Sequence, residues 1–117
     1  MTVQHFYLFR HYKAVAEVST PAKDSLVSGT PQFVTRNSYE SEDGKRFCGE
    51  WESTAGSWRV HYDEWEYCHI LSGRAAIQSD TGEAWEISAG DSFVLEPGFS
   101  GSWTVIEPIC KLYTIIL

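Results

Sequence analysis

Fixed positive charge is scarce in this sequence: nine Lys and Arg stand against sixteen Asp and Glu, for a formal charge of −7. Beyond Phe47 it is carried by Arg59, Arg74 and Lys111 alone. Collecting nucleic-acid phosphates, or docking on an anionic membrane surface, takes the opposite balance, so neither partner is expected. Long apolar runs are also missing, and none approaches the roughly 20 residues that span a bilayer. The N-terminus, Met1 to Arg10, lacks the positive start and small-residue cleavage site of a signal peptide, which makes a cytoplasmic location the expectation. Cysteine is sparse and patternless. Cys48, Cys68 and Cys110 are widely spaced, odd in number and without a Cys-x-x-Cys pair, so each reads as a small apolar residue rather than part of a disulfide framework.

What is present is rings and short strands. Aromatic residues make up 15% of the 117 positions, enough to fill a small barrel or a subunit interface. Apolar alternation predicts strands over 3–9 and 32–39, then 47–54, 58–62, 65–71, 74–79, 83–87, 92–95, 102–107 and 110–117. Residues 12–18 read as a further strand or a turn of helix, and 19–31 as a loop broken by Pro21, Gly29 and Pro31. Asp43-Gly44, Ser72-Gly73 and Asp80-Thr81-Gly82 mark turns. So many short strands in one small domain leave unpaired edges unless the sheet closes or packs on a second sheet. An all-β barrel or jelly roll follows.

Two stretches carry a family likeness. Residues 51–73, from Trp51-Glu52 through His61-Tyr62 and Glu66 to Leu71-Ser72-Gly73, resemble the first cupin motif. Residues 90–103, beginning Gly90-Asp91 and ending Gly101-Ser102-Trp103, resemble the second. The likeness is nearest to small single-domain cupins of the RmlC-like superfamily similar to the (S)-ureidoglycine aminohydrolase group. It implies a double-stranded β-helix forming one cupin domain over 1–117, with a barrel core at about 47–117 and an N-terminal strand extension at 1–46. It also implies a homodimer, with the ring-rich N-terminal strand (Phe6, Tyr7, Phe9) exchanged with a second subunit or packed on its own barrel.

Metal-binding cupins hold a divalent ion (Zn, Mn, Fe or Ni) with two histidines and a glutamate of the first motif and a histidine of the second. Carried over by position, the glutamate is Glu66 and the second histidine His61. The first histidine position falls on Arg59 and the second-motif position on Gly101, neither of which coordinates a metal. A loop one residue shorter puts Val60 and Tyr62 at the first-motif pair instead. Two side chains fall short of the three or four that hold a divalent ion tightly, which favours a metal-free pocket.

Strand alternation puts Glu66, Cys68 and Ile70 on one face, so an apolar Ile70 turns Glu66 into the barrel. There Glu66 is a proton-transfer group or metal ligand, or else the partner of Arg59 or Lys111 in a structural ion pair. His61 is its candidate neighbour as ligand or base. Tyr62, Cys68, Trp51, Trp58 and Trp103 are candidate pocket lining, with Trp103 sharing the inward face of Gly101. Asp91 is expected to accept local backbone N–H bonds. Three functions remain open: binding of a small polar metabolite, metal-assisted hydrolysis or isomerisation of a ureido- or sugar-like compound, and a structural or protein-binding role.

Overall fold

The computed structural model describes residues 4–12 and 14–117. Nine strands follow in chain order: β1 (Ala16–Ser19), β2 (Leu26–Gly29), β3 (Phe33–Glu40), β4 (Arg46–Ser53), β5 (Gly56–His61), β6 (Trp65–Ser79), β7 (Ala84–Ser88), β8 (Ser92–Leu95) and β9 (Ser100–Ile116). All pairings are antiparallel, in one sheet ordered β1-β3-β4-β9-β5-β2. β6 lies along β9 and carries β7 and β8 on its other edge. The sheet curls on itself into a half-barrel, and its concave face holds the core.

The curl comes from the two long strands. β9 pairs with β5 through its first part and with β4 through its second, while β6 follows it from Trp65 to Ser79. Register shifts between Ile70 and Ala75 bend the β6–β9 ladder and change which residues of β6 face inward. Glu66, Cys68 and Ile70 are buried on one side of the bend, Ala75 and Ile77 on the other. Gly73 sits at this corner with φ +89°, where a Cβ would lie 2.2 Å from the Pro108 carbonyl oxygen.

Most hairpins fall where the turn residues place them, and four expectations need correction. Ser72-Gly73 and Pro108 do not end strands; they bend β6 and β9, because bulges absorb the misfit without breaking the ladder. The loop expected over 19–31 contains β2, whose residues pair with the start of β5. The strand expected over 3–9 is not formed: Gln4–Leu8 have no regular structure, a 3-10 turn follows at Phe9–His11, and Val3 lies outside the described residues. Tyr7 and Phe9 pack on their own chain through Tyr39, at 5.0 and 6.3 Å between centroids, while Phe6 is exposed. No helix among the described residues is long and apolar enough to cross a membrane.

Candidate functional site

The inner face of the curled sheet carries a ring cluster. Trp58 and Trp103 face each other across the β5–β9 ladder, near-parallel at 9° and 6.4 Å between centroids. Trp51 of β4 meets Trp103 edge-on at 6.1 Å, and Phe33 of β3 lies 4.8 Å from Trp58 and 5.1 Å from Trp51. These rings wall a hollow of about 290 Å³ with Tyr62, Glu66 and Lys111 among its other lining residues. Such a volume is at the small end for a ligand site. Glu66 and Trp103 thus share one cavity, and the concave sheet forms an aromatic-lined pocket suited to a small molecule.

At its floor lies an ion pair. Lys111 Nζ is 2.7 Å from Glu66 Oε2, with side-chain exposures of 6% and 8%. The Cys68 thiol donates to the same oxygen at 3.2 Å, and Lys111 Nζ is 3.5 Å from Cys68 Sγ. Lys111 stands opposite Ile70 and Trp51 in the ladders, so its long stem runs along the inner sheet to reach Glu66. The ammonium lies 4.7 Å from the Trp51 ring centroid and 4.8 Å from that of Trp103, within range of cation–π attraction. Burial works against the Lys111 charge, but Glu66 outweighs it and raises the pKa above the ordinary lysine range. Burial pushes the Cys68 thiol up to about 12 and the Tyr62 phenol higher still, so both stay neutral. A neutral thiol is a poor nucleophile, which leaves Cys68 a packing and hydrogen-bonding residue.

Among the described residues, one buried side-chain polar atom has no hydrogen-bond partner. Trp103 is 1% exposed, and its indole Nε1 makes no hydrogen bond, although it lies near enough to the Tyr62 hydroxyl to favour its ionised form slightly. An orphaned buried donor is uncommon in proteins and marks a place where an acceptor belongs.

Trp51, Trp58, Trp103, Tyr62, Glu66 and Cys68 are brought together by the fold. His61 is not. Alternation along β5 turns Trp58 inward and His61 outward, where its ring meets Ser100 Oγ at 2.5 Å and Asp63 at 3.1 Å with 58% of the side chain exposed. The structure therefore does not bring His61 beside Glu66, where a base or second metal ligand was expected. Of the two candidate ion-pair partners, Lys111 takes Glu66, while Arg59 pairs with Asp80 at 2.7 Å. Asp91 accepts the Ser88 backbone N–H at 2.8 Å, as its turn position implies. His69 bonds Ser92 at 2.7 Å, and Glu52 pairs with Arg36.

The residues do not fit a resident metal ion. Among those described, no group of three or more His, Cys, Asp or Glu side chains is placed to hold one. Glu66 already faces an ammonium, and the cation of a metal would have to displace it against like-charge repulsion. The Gly101 position is closed as well, because a Cβ there would lie 2.0 Å from the Gln78 carbonyl oxygen in the adjoining strand. No histidine fits that point without moving backbone. For the same reason Gly101→Ala is expected to destabilise the fold by about 1–3 kcal/mol, the overpacking range. Urea unfolding checks this, and a neutral result would mean that the β6–β9 contact is looser than it stands.

A family model described as EutQ-like cupin domain matches residues 40–113, more than half of the 117. The chain belongs to that family. It is a EutQ-like cupin. A DUF861-family protein from Pseudomonas syringae pv. tomato shares the fold at TM-score 0.79 and 22% identity, over 87% of this chain and 44% of that one. EutQ from Clostridium difficile matches at TM-score 0.66 and 18% identity, over 84% and 79% of the two chains. A DUF861-family protein from Thermotoga maritima matches at 0.54 and 20%, over 85% and 97%. At such identities the likeness is one of fold. The chain spans under half the length of the Pseudomonas protein. No curated protein matches it at a significant level.

Sequence reasoning had named five of the lining side chains and overlooked Phe33, Thr35, Tyr113 and Ile115. In the sequence Lys111 stands out as an ion-pair partner for Glu66, and the structure adds it to the pocket wall. Its signal was its rarity: one of three fixed cations in the last 70 residues, in an apolar strand where a lone charge needs a partner.

Proposed function

We propose that this EutQ-like cupin binds a small polar metabolite in the aromatic hollow, with Glu66 and Lys111 as its polar contacts. The observation that carries this reading is a buried ion pair in the lining of a ring-walled cavity, beside a Trp103 whose indole N–H makes no hydrogen bond. A few fixed polar groups in an apolar, largely preformed concavity are the usual composition of a ligand site. A pair serving stability alone has no need of a cavity beside it.

The metal-assisted hydrolase or isomerase reading draws no support from the donor set just described. Closer kinship with (S)-ureidoglycine aminohydrolase cupins enters this reading no further than the small polar character of the ligand. A homodimer and a cytoplasmic setting belong to the same proposal. The first is supported by exposed apolar side chains on the outer sheet face, among them Tyr67, Leu71, Val94 and Leu112, and the second by three free cysteines.

The five tryptophans make the test specific. In ¹H–¹⁵N spectra, small polar metabolites that bind are expected to move the indole signals of Trp51, Trp58 and Trp103. Trp85 lines a separate groove between β7 and β8 and should stay still. Ligands that move Trp85 alone would relocate the site, and a screen without any response at the three inner indoles would defeat the proposal.

A further inference from the structure

The electrostatics of the hollow narrow its ligand further, on the strength of the binding reading above. We propose that it accepts a neutral, planar molecule whose inner end both donates and accepts a hydrogen bond, a carboxamide being the simplest case, and rejects the matching carboxylate.

The first argument is charge balance. Among the described residues lining the cavity, Glu66 and Lys111 carry charge, and at 2.7 Å they cancel. The remaining titratable groups facing them, Tyr62, Cys68 and Tyr113, are held neutral by burial, which raises all three. A carboxylate entering this charge-balanced space brings a charge without a counter-ion of its own and sits against Glu66. An ammonium brings the same penalty against Lys111. Uncompensated charge is costly in such surroundings whichever its sign.

Hydrogen-bonding capacity gives the second. Trp103 Nε1 is a buried donor that makes no hydrogen bond, although the Tyr62 hydroxyl lies near it. Glu66 accepts Lys111 and Cys68 through Oε2, and among the described residues none donates to its Oε1. One free donor and one free acceptor match the C=O and NH₂ of a carboxamide. A carboxylate offers nothing to Glu66. Shape agrees: the walls are the ring faces and edges of Trp51, Trp58, Trp103 and Phe33, and about 290 Å³ suits a single ring system.

Benzamide and benzoate, equal in shape and different in charge, are the probes. Calorimetry or tryptophan fluorescence at neutral pH should find benzamide bound at least about tenfold more tightly by the unaltered protein. Glu66→Gln leaves the hollow with a net positive charge and should turn the preference toward benzoate. The comparison in the unaltered protein stands even if that variant does not fold. Benzoate binding as well as benzamide would overturn this inference and leave the pocket's binding role intact. A folded Glu66→Gln protein that keeps the original preference would overturn the charge argument. Failure of both probes to bind at millimolar concentration would remove the inference together with the reading beneath it.

Discussion

Glu66→Gln should lower the free energy of unfolding by about 3–5 kcal/mol, the range for breaking a buried ion pair from one side. The variant keeps the volume of the side chain and removes its charge. Lys111 is then an ammonium with 6% exposure and no anion within reach in the hollow. Cation–π contact with Trp51 and Trp103 offsets part of the loss, since such contacts contribute about 2 kcal/mol when desolvated. Adding Lys111→Met to the Glu66→Gln chain should restore most of the stability, because the orphaned charge is then gone and the methionine fills the path of the lysine stem. Denaturant unfolding of the four proteins gives the coupling directly. Additive losses would mean that the two groups do not act as a pair. The sign with pH follows from the raised Lys111 value. Its contribution is fully present below the ordinary 10.5 and is lost as pH climbs through the higher folded-state value. Stability arising from the pair is therefore flat across neutral pH.

The second large effect belongs to Trp103. Trp103→Ala removes the ring shared by Trp51, Trp58 and Phe93 and leaves a void at the centre of the sheet. Large-to-small changes of this kind cost about 3–5 kcal/mol, depending on how far the neighbours collapse. The variant also loses the wall and the free N–H of the proposed site, so ligand affinity should fall even where the protein remains folded. Trp85→Ala, at a ring 46% exposed on the outside, is the control and should change stability by about 1 kcal/mol or less. Equal losses from the two substitutions would contradict the placement of Trp103 in the core.

Period-two alternation made the inner face of β6 legible: Glu66, Cys68 and Ile70 were expected together and are all buried. The family's metal pattern puts His61 beside Glu66, whereas alternation along β5 turns its side chain outward. Other features depend on distant chain. Whether an aromatic segment becomes a strand depends on a free edge to pair with, and Gln4–Leu8 finds none, while Leu26–Gly29, unremarkable in sequence, finds β5. Lys111 meets Glu66 because β6 and β9 pair in unbroken register from Trp65 to Ile70, which puts Lys111, Tyr113 and Ile115 on the same face as Glu66, Cys68 and Ile70. No local pattern encodes that meeting, though the loneliness of the charge announced that it needed a partner.

A crystal structure of the protein grown with benzamide tests the central claim most directly. The account predicts the ring between the inner tryptophans and the carboxamide within hydrogen-bonding reach of Glu66 and Trp103, with Lys111 still seated on Glu66. A metal ion on Glu66 with Lys111 swung away, or benzamide bound solely outside the hollow, would contradict it.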